Sequence, residues 1–287
     1  MTKLNNLLLN IFRFLVRKKL IRRGHGWLLN KLWGGKVISI ETVLGKMTVP
    51  IDSANDHLIF FGEISNEKYE IEFIKKFSSL SKVMVDVGAH VGFYSLLMHQ
   101  EMGNTKLIYA FEPDPRTFPF LYQNTQNKKG IFIYNVGISN VEGDIPFYCS
   151  EVTSFSSSAR KVGSAISVSA TTLDSFFTKL NLLDSLDFLK IDVEGGELAV
   201  IQGSQKILSS SNPPCCMVEI CDSINKDLGI SFENILHQVN NYNIYHAFYF
   251  NTEGKFIQIT DGSKSEEIVN IIFVPQQRLN QVRMLEN

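Results

Sequence analysis

Apolar residues fall in short runs along most of the chain, and their spacing switches between strand-like and helix-like. Val37 to Val43 and Lys46 to Ile51, parted by Leu44-Gly45, have the look of a hairpin. Asn66 to Phe77 places Tyr69, Phe73, Ile74 and Phe77 along one side of a helix. From Val83 the two patterns alternate. Val83-Met84-Val85 leads through a glycine turn into a helical stretch from Phe93 to Gln100, and Leu107 to Phe111 is the next strand. Further strands are predicted at Ile131 to Val136, Leu186 to Val193, Cys215 to Cys221, Ile244 to Phe250 and Ile268 to Val274. Helices are predicted at Thr172 to Leu180, Glu197 to Leu208 and Ser231 to Asn241. The last two strands have no helix between them. This order predicts an α/β fold with a doubly wound, seven-stranded, mostly parallel sheet whose last strand is antiparallel. Residues 66–287 are expected to form that domain, and residues 1–65 an extension of basic amphipathic helix and hairpin. Ser150 to Ser169 is a Ser-rich stretch too short to link two domains, within which Ser156 to Lys161 reads by default as a solvated loop, and Asn251 to Ser265 is a polar connection.

Composition narrows the setting. A hydrophobic content of 44% with 20% charged residues is ordinary for a globular chain with a sizeable core. The net charge of −1 offers no field for nucleic acid, so no nucleic-acid partner is expected. The four cysteines form no C-x-x-C pair, and three lie in one apolar run, Cys215, Cys216 and Cys221. Reduced, buried thiols and a cytoplasmic location follow, with no zinc or disulfide framework. The N-terminus departs from the average. Residues 4–16 are rich in Leu, Ile and Phe and are followed by Arg17-Lys18-Lys19 and Arg22-Arg23. That run is too short to span a bilayer and lacks a small-residue cleavage site. As a helix, residues 1–23 would be basic and amphipathic, fit to lie on the inner face of a membrane or to pack on a partner. The plainer expectation is that it covers the domain's own core.

Candidate chemistry gathers at the strand ends. Asp86-Val87-Gly88-Ala89-His90-Val91-Gly92 follows the first strand of the domain, and the second strand ends in Glu112-Pro113-Asp114. Glycines bring the backbone close to a ligand, and an acid at the tip of the next strand accepts from both hydroxyls of a ribose. The pattern is D-x-G-x-x-x-G, with Glu112 twenty residues after Gly92, and not the G-x-G-x-x-G that seats a pyrophosphate. S-adenosylmethionine has no phosphate and carries an amine that Asp86 can receive. It is therefore the expected cofactor.

A second acidic tip is Lys190-Ile191-Asp192-Val193-Glu194-Gly195, where period-two alternation puts Lys190, Asp192 and Glu194 on one side. Methyl transfer is an in-line displacement, and a hydroxyl acceptor must lose a proton. Asp192 or Glu194 is a candidate base, with Lys190 balancing the charge. Coordination of a hard cation by Asp192, Glu194 and Glu219 is a rival, and so is a lysine–carboxylate network that only closes the strand end. Glu219 with Asp222 is the weaker tip. His90 and the pair Phe93-Tyr94 read first as turn and helix packing, with Phe93 also a cofactor contact. Ser156 to Lys161 is a candidate lid, with Arg160 and Lys161 toward an anionic group.

Together these residues resemble the FkbM family of S-adenosylmethionine-dependent methyltransferases. The likeness rests on Val85 to Ser95, Ala110 to Asp114, Asn135 to Ser139, Thr172-Leu173-Asp174, Leu189 to Gly195 and Val218-Glu219-Ile220, roughly Tyr69 to Ile220. The resemblance implies a class I (Rossmann-like) methyltransferase fold and methylation of a hydroxyl on a sugar, a glycan or a small metabolite. It supports Asp86, Gly88, Gly92 and Glu112 as cofactor contacts and Asn135-Val136 as neighbours of the adenine. His90, Phe93, Tyr94, Ser95 and Pro113 complete the expected cofactor set. Gly137 and Gly196 stand where alanine is more usual, and segments 37–65 and 150–169 match least. The alternatives are a nicotinamide-dependent oxidoreductase, disfavoured by the missing G-x-G-x-x-G, and a cofactor-fold binding module without turnover.

Overall fold

Parallel strands covered on both faces are mostly apolar, and the middle of this molecule follows that rule except at Asp86 and Lys190, which face each other across β3 and β9. In a computed structural model, residues 3–21, 23–52, 55–64, 66–102, 106–150, 156–161, 163–221, 227–260 and 270–285 are described. Two helices, α1 (Lys3–Arg17) and α2 (His25–Trp33), precede the expected hairpin of β1 (Val37–Thr42) and β2 (Gly45–Pro50). Helices α3 (Asp56–Phe61) and α4 (Lys68–Leu80) lead to the alternating part: β3 (Val83–Val87), α5 (Phe93–Met102), β4 (Leu107–Phe111), α6 (Phe118–Thr125) and β5 (Ile131–Tyr134). Three strands follow, β6 (Gly137–Ile138), β7 (Gly143–Cys149) and β8 (Ser164–Thr171). The alternation then resumes with α7 (Leu173–Leu180), β9 (Phe188–Ile191), α8 (Glu197–Gln202), α9 (Gln205–Leu208), β10 (Cys215–Glu219) and α10 (Phe232–Asn240). The chain closes with β11 (Tyr245–Phe250), β12 (Phe256–Gln258), β13 (Asn270–Pro275) and α11 (Leu279–Arg283).

The main sheet has the order β12-β11-β13-β10-β9-β3-β4-β5. Strands β5, β4, β3, β9 and β10 are parallel, while β13 is antiparallel to both β10 and β11. The doubly wound sheet with its antiparallel last strand is thus as expected. An eighth strand, β12, pairs at the edge within the segment predicted to be only a polar connection; residues 261–265 of that segment, and residues 268–269 of the predicted last strand, lie outside the described residues. The winding reverses between β3 and β9, which places a crevice beyond their carboxyl ends.

Several boundaries differ for physical reasons. The predicted strand Leu186 to Val193 ends at Ile191, because the chain turns there and Glu194 takes φ +57°. The predicted helix Glu197 to Leu208 breaks at Gly203, where a Cβ would stand 2.1 Å from the Ser139 carbonyl oxygen. The end of the Ser-rich stretch is strand: β8 pairs with β7 from Ser164 to Ala170, and β6 joins at Ala170 and Thr171 to make a second sheet. Ile166, Val168 and Ala170 form the inward row of β8, and Ser167 and Ser169 the exposed one.

The N-terminal helices share one buried cluster with the sheet domain. Leu9, Phe12, Val16 and Trp33 belong to the same cluster as Phe60, Phe77, Met84 and Leu97. Arg13 donates to the Ile59 carbonyl at 2.6 Å, and Arg17 donates to that of Phe60. At the opposite end Arg278 ties distant segments together. It bonds Asp187 at 3.1 Å and the carbonyls of Pro213 and Leu186, while Asp187 accepts from the Lys82 amide at 2.6 Å.

Candidate active site

The turn between β3 and α5 is shaped by three residues with positive φ, Gly88, His90 and Gly92. Gly88 has φ +82° and His90 has φ +50°. The amides of Gly88 and Ala89 both donate to the Phe111 carbonyl, at 3.0 and 2.9 Å, which brings the turn over the end of β4. A Cβ on Gly88 would lie 1.7 Å from the Asp192 carbonyl oxygen. The glycine therefore lets the tip of β9 close on the turn, as well as leaving a bare backbone beside the cavity. Gly92, at φ +90°, faces Leu121 and Thr125 of α6 instead.

Asp86 and Glu112 flank this turn at the bottom of a cavity of about 430 Å³. Asp86 is buried, and its Oδ2 accepts from Ser95 Oγ at 2.6 Å. Its Oδ1 is buried with no hydrogen-bond partner among the described residues. Burial raises the Asp86 pKa, and Lys190 opposes that rise. Glu112 is held by two backbone amides, one on each oxygen: His90 N on Oε2 and Asp114 N on Oε1, both at 2.8 Å. Each oxygen keeps lone-pair capacity toward the cavity. Burial nevertheless pushes this carboxyl up to about 8. Burial also lowers the His90 pKa, which favours a neutral imidazole beside the cavity, although Asp52 and Asp192 oppose the shift.

Beside Asp86, across the β3–β9 pair, carboxyl groups gather around the buried ammonium of Lys190. Lys190 Nζ lies 2.7 Å from Asp192 Oδ2 and 4.5 Å above the Tyr94 ring. Burial alone would lower the Lys190 pKa, but Asp192, Asp86 and Glu219 more than reverse it. Burial works against Asp192 ionising, and Lys190 outweighs it, bringing Asp192 down to about 2. Glu219 moves the opposite way, far above the usual range, through burial and the adjacent Asp192. The two share a hydrogen bond, which lowers Asp192 and raises Glu219. Tyr94 donates its hydroxyl to Glu67, whose pKa burial also raises.

Glu194 stands apart from this knot. Its nearest cation is Arg160 at 3.8 Å, and its backbone carbonyl accepts from Ser157 Oγ at 2.8 Å. Burial, together with Asp192 and Glu197, lifts it to about 8. The alternation of β9 stops before Glu194, so Lys190 bonds Asp192 directly and acts on Glu194 less than Arg160 does. Asp192, Glu194 and Glu219 do not converge as a cation cage: among the described residues no three His, Cys, Asp or Glu side chains form such a group. Asp222 lies outside the described residues.

Of the expected site residues, Asp86, Gly88, His90, Phe93, Tyr94, Glu112, Pro113, Val136, Lys190, Asp192 and Glu194 line the cavity. Three do not. Gly92 packs on α6, Ser95 sits beneath the floor holding Asp86, and the Asn135 amide is spent on the Glu112 and Pro113 carbonyls at 2.7 and 3.1 Å. Arg160 meets Glu194, and the Ser-rich segment is docked, with Ser157 fully buried. Sequence reading missed the wall built by Ile145, Phe147 and Val168 of the second sheet, and the rim from Asn55 to Leu58 with Glu67. The period-two row of β8 was the available signal for the first. Nothing in the local pattern marked Glu67.

The profile of the Methyltransferase FkbM domain matches residues 86–244. A protein of Haloferax volcanii named hexuronic acid methyltransferase is 27% identical over 152 residues, covering 52% of this chain and 61% of that relative. Methyltransferase 1 of Beauveria bassiana is 24% identical over 194 residues, covering 54% of this chain and 76% of its own length. This chain therefore spans less than two thirds of the first of these relatives. Among solved structures, a methyltransferase FkbM from Methylobacillus flagellatus is 16% identical with a TM-score of 0.42, covering 68% of this chain and 44% of that one. An S-adenosylmethionine-dependent O-methyltransferase from Thermotoga maritima is 13% identical with a TM-score of 0.41, covering 84% and 77%.

Proposed function

Because this chain belongs to the FkbM methyltransferase domain family, we propose that it is an S-adenosylmethionine-dependent O-methyltransferase acting on a hydroxyl of a sugar, a glycan or a small metabolite. The observation that carries this reading is the buried, unpartnered Oδ1 of Asp86 in the cavity. A buried carboxylate oxygen left without a donor is costly, and a ligand amine would satisfy it. When bound, S-adenosylmethionine supplies the electrophilic methyl of its sulfonium. Asp86 holds the amine, Glu112 accepts from the ribose hydroxyls, Gly88 gives backbone room, and Val136 borders the base.

Around the tip of β9 the protein positions an acceptor and takes its proton. Glu194, at about 8, is matched to general-base work near neutral pH. Asp192, at about 2, is a weak base and serves with Lys190 as a fixed charge pair that orients the acceptor. Glu219 and Glu67, both raised, add donors and acceptors suited to a hydroxyl-rich ligand. The relative named a hexuronic acid methyltransferase supports a sugar acceptor.

Two measurements test the reading. Calorimetry should give saturable heat with S-adenosylhomocysteine and none with NAD. Labelled methyl should then pass to a hydroxyl in a panel of sugars, glycans and small alcohols. Folded protein that binds NAD and ignores S-adenosylhomocysteine would overturn the cofactor. Binding without transfer to any acceptor would leave a binding module in place of an enzyme.

A further inference from the structure

The cavity does not use the outer face of the N-terminal helices, and that face has an unusual makeup. In α1, Leu9, Phe12 and Val16 turn inward, and α3 is the neighbour that covers them. Yet Leu7, Ile11 and Phe14, at i, i+4 and i+7, point outward, with Phe14 56% exposed. On α2, Trp27 and Leu32 are also exposed, Trp27 by 65%. Between the two helices Leu8, Ile11, Leu15 and Leu32 line an apolar cleft. A run of large exposed apolar side chains of this kind marks an interaction surface.

Charge identifies the occupant. The first forty residues contain nine Lys and Arg, and the first acid is Glu41, although the chain as a whole carries −1. Exposed Lys18 and Lys31 lie over the rings of exposed Phe14 and Trp27, at 5.9 and 4.7 Å, so cations border the apolar side chains directly. Arg23 is exposed between the two helices. A second copy of the same face would bring like charges together. A surface that offers negative charge above hydrocarbon satisfies both features, and Trp is the side chain best suited to that boundary.

We propose that α1 and α2 dock this protein on anionic lipid bilayers, with Leu7, Ile11, Phe14 and Trp27 entering the acyl boundary and Lys18, Arg23 and Lys31 meeting the headgroups. No helix among the described residues is long and apolar enough to cross a membrane, so the contact is peripheral. Helix α3 both packs on α1 and supplies Asp56, His57 and Leu58 to the cavity rim, which sets the docked face one helix away from the site. The proposal goes beyond methyl transfer and does not depend on it.

The test is co-sedimentation of the full chain with vesicles of phosphatidylcholine alone or mixed with phosphatidylglycerol. Binding should require the anionic lipid and fall with salt. Replacing Lys18 and Lys31 by Gln should weaken partitioning about five-fold for each cation removed. The double variant Leu7→Glu, Phe14→Glu should abolish binding while its melting temperature stays at that of the wild type, since both side chains are exposed and lie outside the cleft. Equal binding to neutral vesicles, or no binding to anionic ones, would overturn the proposal. So would light scattering that shows a dimer dissolved by Phe14→Glu.

Discussion

Substituting alanine for Gly88 asks whether one turn governs the layout of the cavity. At φ +82° a Cβ costs about 1–2 kcal/mol from local sterics alone. The contact is worse. The new carbon would stand 1.7 Å from the Asp192 carbonyl oxygen and 2.8 Å from its carbon, while real Cβ atoms stay at 3.0 Å or more. Because the obstacle is backbone, one turn must retreat by at least about 1.3 Å. That movement shifts Asp86 and Glu112 against Lys190 and Asp192, and a misplacement near 1 Å costs about 100-fold in rate. Gly92→Ala is the matched control. Its φ of +90° carries the same strain, but its obstacle is Leu121 Cδ1 at 2.8 Å, the end of a side chain that can rotate. Gly92→Ala should lose about 1–2 kcal/mol by denaturant unfolding, and Gly88→Ala more, because its obstacle is backbone. Only Gly88→Ala should lose about 100-fold in kcat/KM for labelled methyl transfer and weaken S-adenosylhomocysteine in calorimetry. Equal losses in the two variants, or near-wild-type transfer by Gly88→Ala, would refute the coupling of the turns through this contact.

Three further outcomes follow from the same geometry. Glu194 is neutral below about 8 and becomes a carboxylate above it, so the transfer rate should climb with pH toward that value. Glu194→Gln should lower kcat about 10²–10⁴-fold and flatten the profile; an unchanged profile would remove Glu194 as the base. Glu112, at about 8 in the empty cavity, is mostly protonated at pH 7, whereas ribose hydroxyl donors favour its carboxylate. Binding of S-adenosylhomocysteine should therefore release a proton, visible as a heat that varies with buffer ionisation enthalpy, and Glu112→Gln should lose that share. Arg278→Ala strands Asp187 beside the strand ends and should cost about 3–5 kcal/mol of stability by urea unfolding, with cofactor-product affinity retained in the folded fraction.

The parts of the molecule that can be read from sequence are those in which one local rule decides the outcome. The strands β3, β4, β9 and β10 are mostly apolar because they are covered on both faces, and every one of them was visible as a run. Asp86 and Glu112 were legible because each ends such a run at a spacing set by one βα unit. What escaped depended on distant partners. β8 is written in serine and alanine, and only its pairing with β7 makes it a strand. The role of Gly88 against Asp192 joins residues more than a hundred positions apart. Ser95 and Asn135 sit in recognisable motifs, yet their side chains serve neighbouring protein groups, a distinction that only three-dimensional contacts make.

The position of β13 has a consequence for how the protein is made. This strand follows β10, β11 and β12 in the chain, yet it lies inside the sheet, paired on one side with β10 and on the other with β11. Until residue 275 is available, β11 has no bridge to the rest of the sheet, and β10 presents a bare apolar edge. A growing chain therefore waits, incomplete, for its closing strand. Pairing of such late-arriving, distant segments is slow and leaves sticky edges in the meantime. Truncations that spare every residue of the cavity but remove this strand should yield aggregates in place of a smaller folded domain.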